Sequence, residues 1–134
     1  VTGVVTFVYG TLTEPARVGE VVDSFVFVGS AVVSGLHAVG GEYPTLAPGG
    51  SVAGRLLRTD SHDALDSYER VEDGLYTRVS VPTDDGFDGE TASVAVYVGD
   101  PDRLGADATW PGDGAFAERV RRYVDREAVV VTRD

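Results

Sequence analysis

Val4-Val5-Thr6-Phe7-Val8-Tyr9, closed by Gly10-Thr11-Leu12, is the stretch that decides how this chain is read. Branched and aromatic side chains fill consecutive positions, which favours an extended strand buried on both faces, and the glycine ends it. A central strand feeding a loop is expected. Working outward, similar β-rich runs occur at Phe25–Val28, Ala31–His37, Val52–Arg58, Leu75–Val81 and Thr91–Val98, separated by Gly, Pro and Asp turns. The apolar set agrees, with 24 Val against 8 Leu and no Ile or Met. The expected fold is α+β and mainly β: a small mixed β-barrel of about six strands. The segment Thr83-Asp84-Asp85-Gly86-Phe87-Asp88-Gly89 is read as a long acidic hairpin loop joining the last two of these runs.

Two segments carry a helical pattern. Asp60 to Glu69 opens with cap-type residues and acids, where a helix N-terminus favours them, so a helix of two or three turns is expected. Gly114 to Arg126 spaces Phe116, Val120, Tyr123 and Val124 along one face, giving a C-terminal helix packed on the barrel. Its arginines (Arg119, Arg121, Arg122 and Arg126) fall mainly on the other faces and read as a solvated surface. Trp110, before Pro111 and Gly112, is expected to pin this connection to the barrel.

With 134 residues and 43% hydrophobic composition, residues 1–134 are expected to form one domain around a proper core. Charge is the unusual feature, because 22 acids face 11 arginines and no lysine, leaving a net charge of −11. Phosphate binding needs a basic footprint, so nucleic acid is not an expected partner. The acids are unevenly placed: four of them lie in residues 1–59 and eighteen in residues 60–134. Strongly hydrated carboxylates without lysine read as adaptation to a saline interior, where molar salt screens their repulsion. Cysteine is absent, which removes disulfides, thiolate nucleophiles and sulfur-ligated metals. His37 and His62 have no ligand spacing, so no metal and no cofactor are expected. The N-terminal run lacks a basic leader, and no apolar run is long enough to span a bilayer, so a soluble, cytoplasmic protein is expected, with no membrane and no obligate protein partner.

Chemistry has two candidate seats. After the first strand, Tyr9, Gly10, Thr11 and Leu12 are placed to form a small concavity of backbone N–H groups around a carboxylate or carbonyl oxygen. Glu69 lies four residues beyond Leu65 and so projects from the face by which that leucine anchors its helix. A carboxylate held against apolar surface loses hydration, and its pKa rises toward the range useful for a base. Asp66 adds like charge, and an Asp66–Arg70 pair at helical spacing is expected to absorb it. Tyr43 and Tyr76 are read as structural. On these residues alone an ordinary turn and a surface glutamate stay open beside the functional readings.

The ordered set Val8-Tyr9-Gly10-Thr11-Leu12, Tyr43-Pro44, Val52-Ala53-Gly54-Arg55-Leu56-Leu57, Leu65-Asp66-Ser67-Tyr68-Glu69 and Leu75-Tyr76-Thr77-Arg78 resembles the γ-glutamylcyclotransferase-like, or AIG2-like, family. The resemblance covers roughly residues 4–98. It implies a small β-barrel whose cavity is lined by residues 9–12, which would hold a γ-glutamyl substrate, and by Glu69 as catalytic acid and base. The implied reaction closes the γ-glutamyl group of an amine or peptide into 5-oxoproline and releases the amine, without a cofactor. A non-catalytic small-molecule-binding barrel of the same fold is the alternative. The chain departs from the family in one place, where family members often carry a glycine after the glutamate and Arg70 stands here. From the charge pattern, thermal unfolding should shift to higher temperature as salt rises from about 0.1 M to about 2 M. A falling or flat midpoint in calorimetry across that range would remove the saline reading.

Overall fold

The opening run forms strand β1 (Val4–Val8), antiparallel to β3 (Thr45–Thr59) on one side and parallel to β5 (Ser93–Gly99) on the other. It is an inner strand, as its residues require. The computed structural model describes residues 4–41, 44–60, 62–84 and 93–133. With β2 (Phe25–Val39), β4 (Tyr76–Pro82) and β6 (Val130–Arg133), the strands form one mixed sheet in the order β4-β5-β1-β3-β2-β6. The sheet curls into a half-barrel. Its two edge strands approach through a bridge between Thr83 and Val131, where the Asp84 N–H also donates to the Val131 carbonyl at 3.1 Å.

The mainly β reading is correct, but the strand boundaries differ for a physical reason. Phe25–Val28 and Ala31–His37 are one strand of 15 residues, because Val28-Gly29 is a bulge opposite Leu56 and Gly29-Ser30 continues the strand without a turn. Gly29 has φ 145° and Gly35 φ 104°, and the register against β3 shifts beside each. Opposite Gly35, the pair Gly49-Gly50 supplies the extra residue of a second bulge, with φ 98° and 71°. His37 Nδ1 hydrogen-bonds the Gly49 carbonyl at 3.0 Å and holds that bulge. The run Val52–Arg58 therefore extends back through Pro48 to Thr45. Bulges bend long strands and increase their twist, which curls this sheet. Of the run Thr91–Val98, residues 93–98 lie in β5, which continues to Gly99, whereas residues 91–92, and residues 85–89 of the expected acidic hairpin, lie outside the described residues.

Both faces of the sheet are covered. Val5 and Phe7 of β1 point to a core shared with α4 (Phe116–Arg126), whose Val120, Tyr123 and Val124 are buried. Trp110 packs edge-on against Phe116 and Tyr123 and closes this core, as its position in the sequence suggests. Val8 points the other way, to a second core with Val18 of α1 (Pro15–Val21) and Leu65 of α2 (His62–Tyr68). α1, the short α3 (Pro101–Leu104) and β6 are not expected from the sequence, as α1 is only seven residues long and contains Gly19. Among the described residues no helix is long and apolar enough to cross a membrane. Gly54 lies where β3 passes the end of β1, and a Cβ there would meet the Val8 carbonyl and come within 2.7 Å of Phe7 Cζ. Gly54→Ala should therefore destabilise the fold by about 2–3 kcal/mol. Urea unfolding measures the loss, and a neutral result would show that the strands can separate at this crossing.

Candidate active site

A cavity of about 370 Å³ opens on the face of the sheet that carries α1 and α2. Its inner wall is the end of β1 with the residues that follow it, namely Val8, Tyr9, Gly10 and Leu12, and Glu69 joins it from beyond the end of α2. Three of the four residues proposed from the sequence at 9–12 thus share a cavity with Glu69. Nothing is described for the Thr11 side chain, although its backbone belongs to the single 3-10 turn Thr11–Thr13. That turn is tightly held: Thr13 returns its N–H at 3.1 Å and its Oγ1 at 2.7 Å to the Gly10 carbonyl. Arg55 Nη1 donates to the Thr13 carbonyl at 2.8 Å while its guanidinium lies over the Phe27 ring, 3.7 Å from the centroid. Gly10 is not demanded by a left-handed backbone, and a Cβ there would touch Pro44 at 3.6 Å. What the glycine leaves is room within the cavity wall.

Glu69 is placed by the way α2 ends. The Val71 N–H reaches back to the Asp66 carbonyl at 3.0 Å and the Arg70 N–H to the Ser67 carbonyl at 3.1 Å, the paired bonds of a Schellman C-cap. Such a cap needs a left-handed residue, and Arg70 supplies it with φ 55°. This explains the departure from the family: the position asks for a backbone conformation that glycine adopts most easily, and arginine adopts it here at some strain. The Arg70 side chain pairs with Asp73, not with Asp66 as its spacing suggests. Hydrogen bonds from Arg70 and then Arg103 hold the Asp73 carboxyl below its usual range. Asp66 instead accepts from the Tyr97 hydroxyl at 2.6 Å and from Arg78 Nη1 at 3.1 Å, which ties α2 to β5 and β4. The expected Asp66–Arg70 pair is therefore replaced by a tie to the sheet, because the left-handed turn takes residue 70 off the helix.

Burial pushes the Glu69 carboxyl up from an ordinary 4.5 to about 7. The tyrosines around it behave differently. Tyr9 donates its hydroxyl to the Tyr97 carbonyl at 2.6 Å, and burial first, then Tyr76 and Glu69, keeps its pKa well above the usual value. Tyr97 is also raised, first by burial and then by its bond to Asp66. Both phenols stay protonated at neutral pH, whereas Glu69 titrates there. Tyr76, read as structural from the sequence, lines the cavity with its ring while its hydroxyl donates to the Pro44 carbonyl at 2.5 Å. Tyr43 lies outside the described residues. Pro44, quoted above beside Tyr43, lines the cavity from the loop before β3, while Arg17 and Tyr97 also line it and carry no local signal in the sequence, since they arrive from α1 and β5. Among the described residues no group of His, Asp or Glu side chains could hold a metal ion.

The raised pKa makes Glu69 costly to the fold when ionised. Because its folded-state value lies above its unfolded value, its contribution is most favourable below about 4.5 and declines as pH rises through about 7. Glu69→Gln should therefore match the parent near pH 4 and exceed it by up to about 3 kcal/mol near pH 9. Denaturant unfolding at the two pH values provides the measurement, and equal differences at both would place the carboxylate in water.

Comparison with known proteins adds four findings. The sequence model of the family described as gamma-glutamyl cyclotransferase, AIG2-like, matches residues 6–114. AIG2-like protein C of Arabidopsis thaliana is 35% identical over 108 residues, which cover 74% of this chain and 63% of that protein's length. A solved gamma-glutamyl cyclotransferase superposes with a TM-score of 0.58 at 15% identity, over 87% of this chain and 95% of that one, a likeness of fold. A second Arabidopsis thaliana protein, solved in solution, superposes with a TM-score of 0.54 at 27% identity, over 96% of this chain and 78% of that one.

Proposed function

The chain belongs to the gamma-glutamyl cyclotransferase, AIG2-like family, and from this premise we propose that it cyclises a γ-glutamyl amine or γ-glutamyl peptide to 5-oxoproline and a free amine, with Glu69 as general base and acid. The observation that carries this reading is a half-buried carboxyl on a cavity wall shared with Tyr9, Gly10 and Leu12, its titration brought to about 7 by burial. A pKa near the working pH suits a group that must both take and return a proton.

In the proposed step, Glu69 accepts a proton from the substrate's α-ammonium, and the freed nitrogen attacks the γ-carbonyl carbon to close a five-membered lactam. The tetrahedral oxyanion then collapses as Glu69 returns its proton to the leaving nitrogen and the bond to that nitrogen breaks. The carboxylate next takes the second proton from the ring nitrogen and passes it to the freed amine, which departs as an ammonium ion and leaves Glu69 ionised. The nucleophile is the substrate's own amine, so no outside nucleophile enters the balance. Backbone N–H groups of residues 9–12 orient the substrate's α-carboxylate or its carbonyl oxygen and supply the preorganised donors that such a step requires. Arg55 and Thr13 keep that loop in place. Tyr9 contributes a fixed wall, because its hydroxyl is committed to the Tyr97 carbonyl.

Incubation in high salt with γ-glutamyl amines and γ-glutamyl amino acids, followed by detection of 5-oxoproline, tests the proposal. Glu69→Gln should lower kcat by about 10²–10⁴-fold. In the parent enzyme kcat should fall as pH drops below about 7, when Glu69 becomes protonated. Folded protein that binds the panel and yields no product would leave the non-catalytic binding barrel as the function.

A further inference from the structure

The cavity changes character from floor to rim. Val8 and Leu12 on its inner wall are 4% and 3% exposed, and Tyr97 beside them is 3% exposed. Arg17 and Arg70 also line it, and their side chains are 49% and 56% exposed. The buried part is thus apolar and tyrosyl around Glu69, and the solvent-facing part carries two guanidinium groups. Two cations at one opening are a marked local reversal in a chain of net charge −11.

A γ-glutamyl substrate enters such a cavity with an order imposed by the reaction. The α-amine, the γ-carbonyl and the scissile nitrogen must reach Glu69, which is half-buried, so the γ-glutamyl part occupies the inner wall. The leaving group extends outward, since it must depart to solvent. The rim is therefore where the variable part of the substrate is read. We propose that Arg17, assisted by Arg70, recognises a carboxylate on the leaving amine, so that γ-glutamyl amino acids are preferred over γ-glutamyl amines that lack this carboxylate. This inference rests on the cyclisation reading of the site and assigns its substrate class.

The present partners of these arginines permit the exchange. Arg17 Nη1 bonds Glu20 Oε2 at 3.3 Å, both side chains being largely exposed, and ion pairs of that kind hold little free energy against water. A substrate carboxylate arriving at the rim competes with Glu20 on favourable terms, because a guanidinium receives a carboxylate through two parallel hydrogen bonds. Arg70 is held by Asp73 and keeps its backbone left-handed, so it adds field more than a movable ligand. The rim also offsets the repulsion that the acidic protein exerts on a substrate bearing two carboxylates. A leaving group with a terminal ammonium meets the opposite situation and is disfavoured.

A matched pair isolates the carboxylate: γ-glutamyl-leucine and the γ-glutamyl amide of 3-methylbutylamine, which is the same molecule without it. Calorimetric titration of the Glu69→Gln protein reads binding without turnover. The leucine compound should bind about tenfold more tightly, and adding Arg17→Gln should bring the ratio to about twofold or less, with Arg17→Lys restoring part of it. Molar salt should shrink the same ratio, as for any half-exposed charge contact. Equal binding of the pair, binding of neither, or a preference untouched by Arg17→Gln overturns the inference. Turnover by the parent protein is scored separately. If the binding preference appears as stated and no 5-oxoproline forms, the rim reading stands and the cyclisation reading falls.

Discussion

A strand buried on both faces must find a core on each side, and β1 imposes this constraint on the whole chain. Val5 and Phe7 require cover on one face, which α4 and Trp110 provide. Val8 requires it on the other, where the seven-residue helices α1 and α2 and Leu104 of α3 supply it. The Tyr9-to-Leu12 segment that follows β1 lines the cavity on this side together with Arg17 of α1. Glu69 joins it from beyond the end of α2. The cavity follows from a central strand with a long helix on one face and short ones on the other.

Much of this was legible in the sequence, and the parts that were not share a cause. The β-rich runs and the face of α4 are local patterns, and they predict local structure correctly. Gly29, Gly35 and the pair Gly49-Gly50 misled, since glycine punctuates turns and bulges alike, and only the partner strand decides between them. Leu65 and Glu69 were placed correctly by helical spacing. Spacing failed one residue later, because the left-handed backbone at Arg70 ends the helix and sends that side chain to Asp73. Asp66 found its partners on β4 and β5, a tertiary pairing that no local rule encodes. Arg17, Tyr76 and Tyr97 come to the cavity for the same long-range reason.

The acidic surface and the site answer to different solvents. Exposed acids in residues 60–134, such as Asp63, Glu72, Asp102 and Asp125, meet bulk water, where dissolved salt screens their charge. Glu69 belongs to the same stretch of sequence yet meets apolar and tyrosyl walls, where screening does not reach and hydration is withheld. One residue type thus does two kinds of work within this stretch. The separation depends on the cap of α2 and on the Asp66 tie to the sheet, which together fix the direction in which Glu69 points.

The empty volume beside β1 has a mechanical meaning as well as a chemical one. Atoms that line a void lack dispersion partners on one side, so this face of the sheet is held less firmly than the face packed by α4. Local opening should begin here, at α1, the 3-10 turn and α2, while β1, β3 and β5 exchange their amide hydrogens last. A bound molecule of the right shape supplies the missing contacts and stiffens this side of the protein. Substrate is then, for the time it is held, a temporary part of the second core.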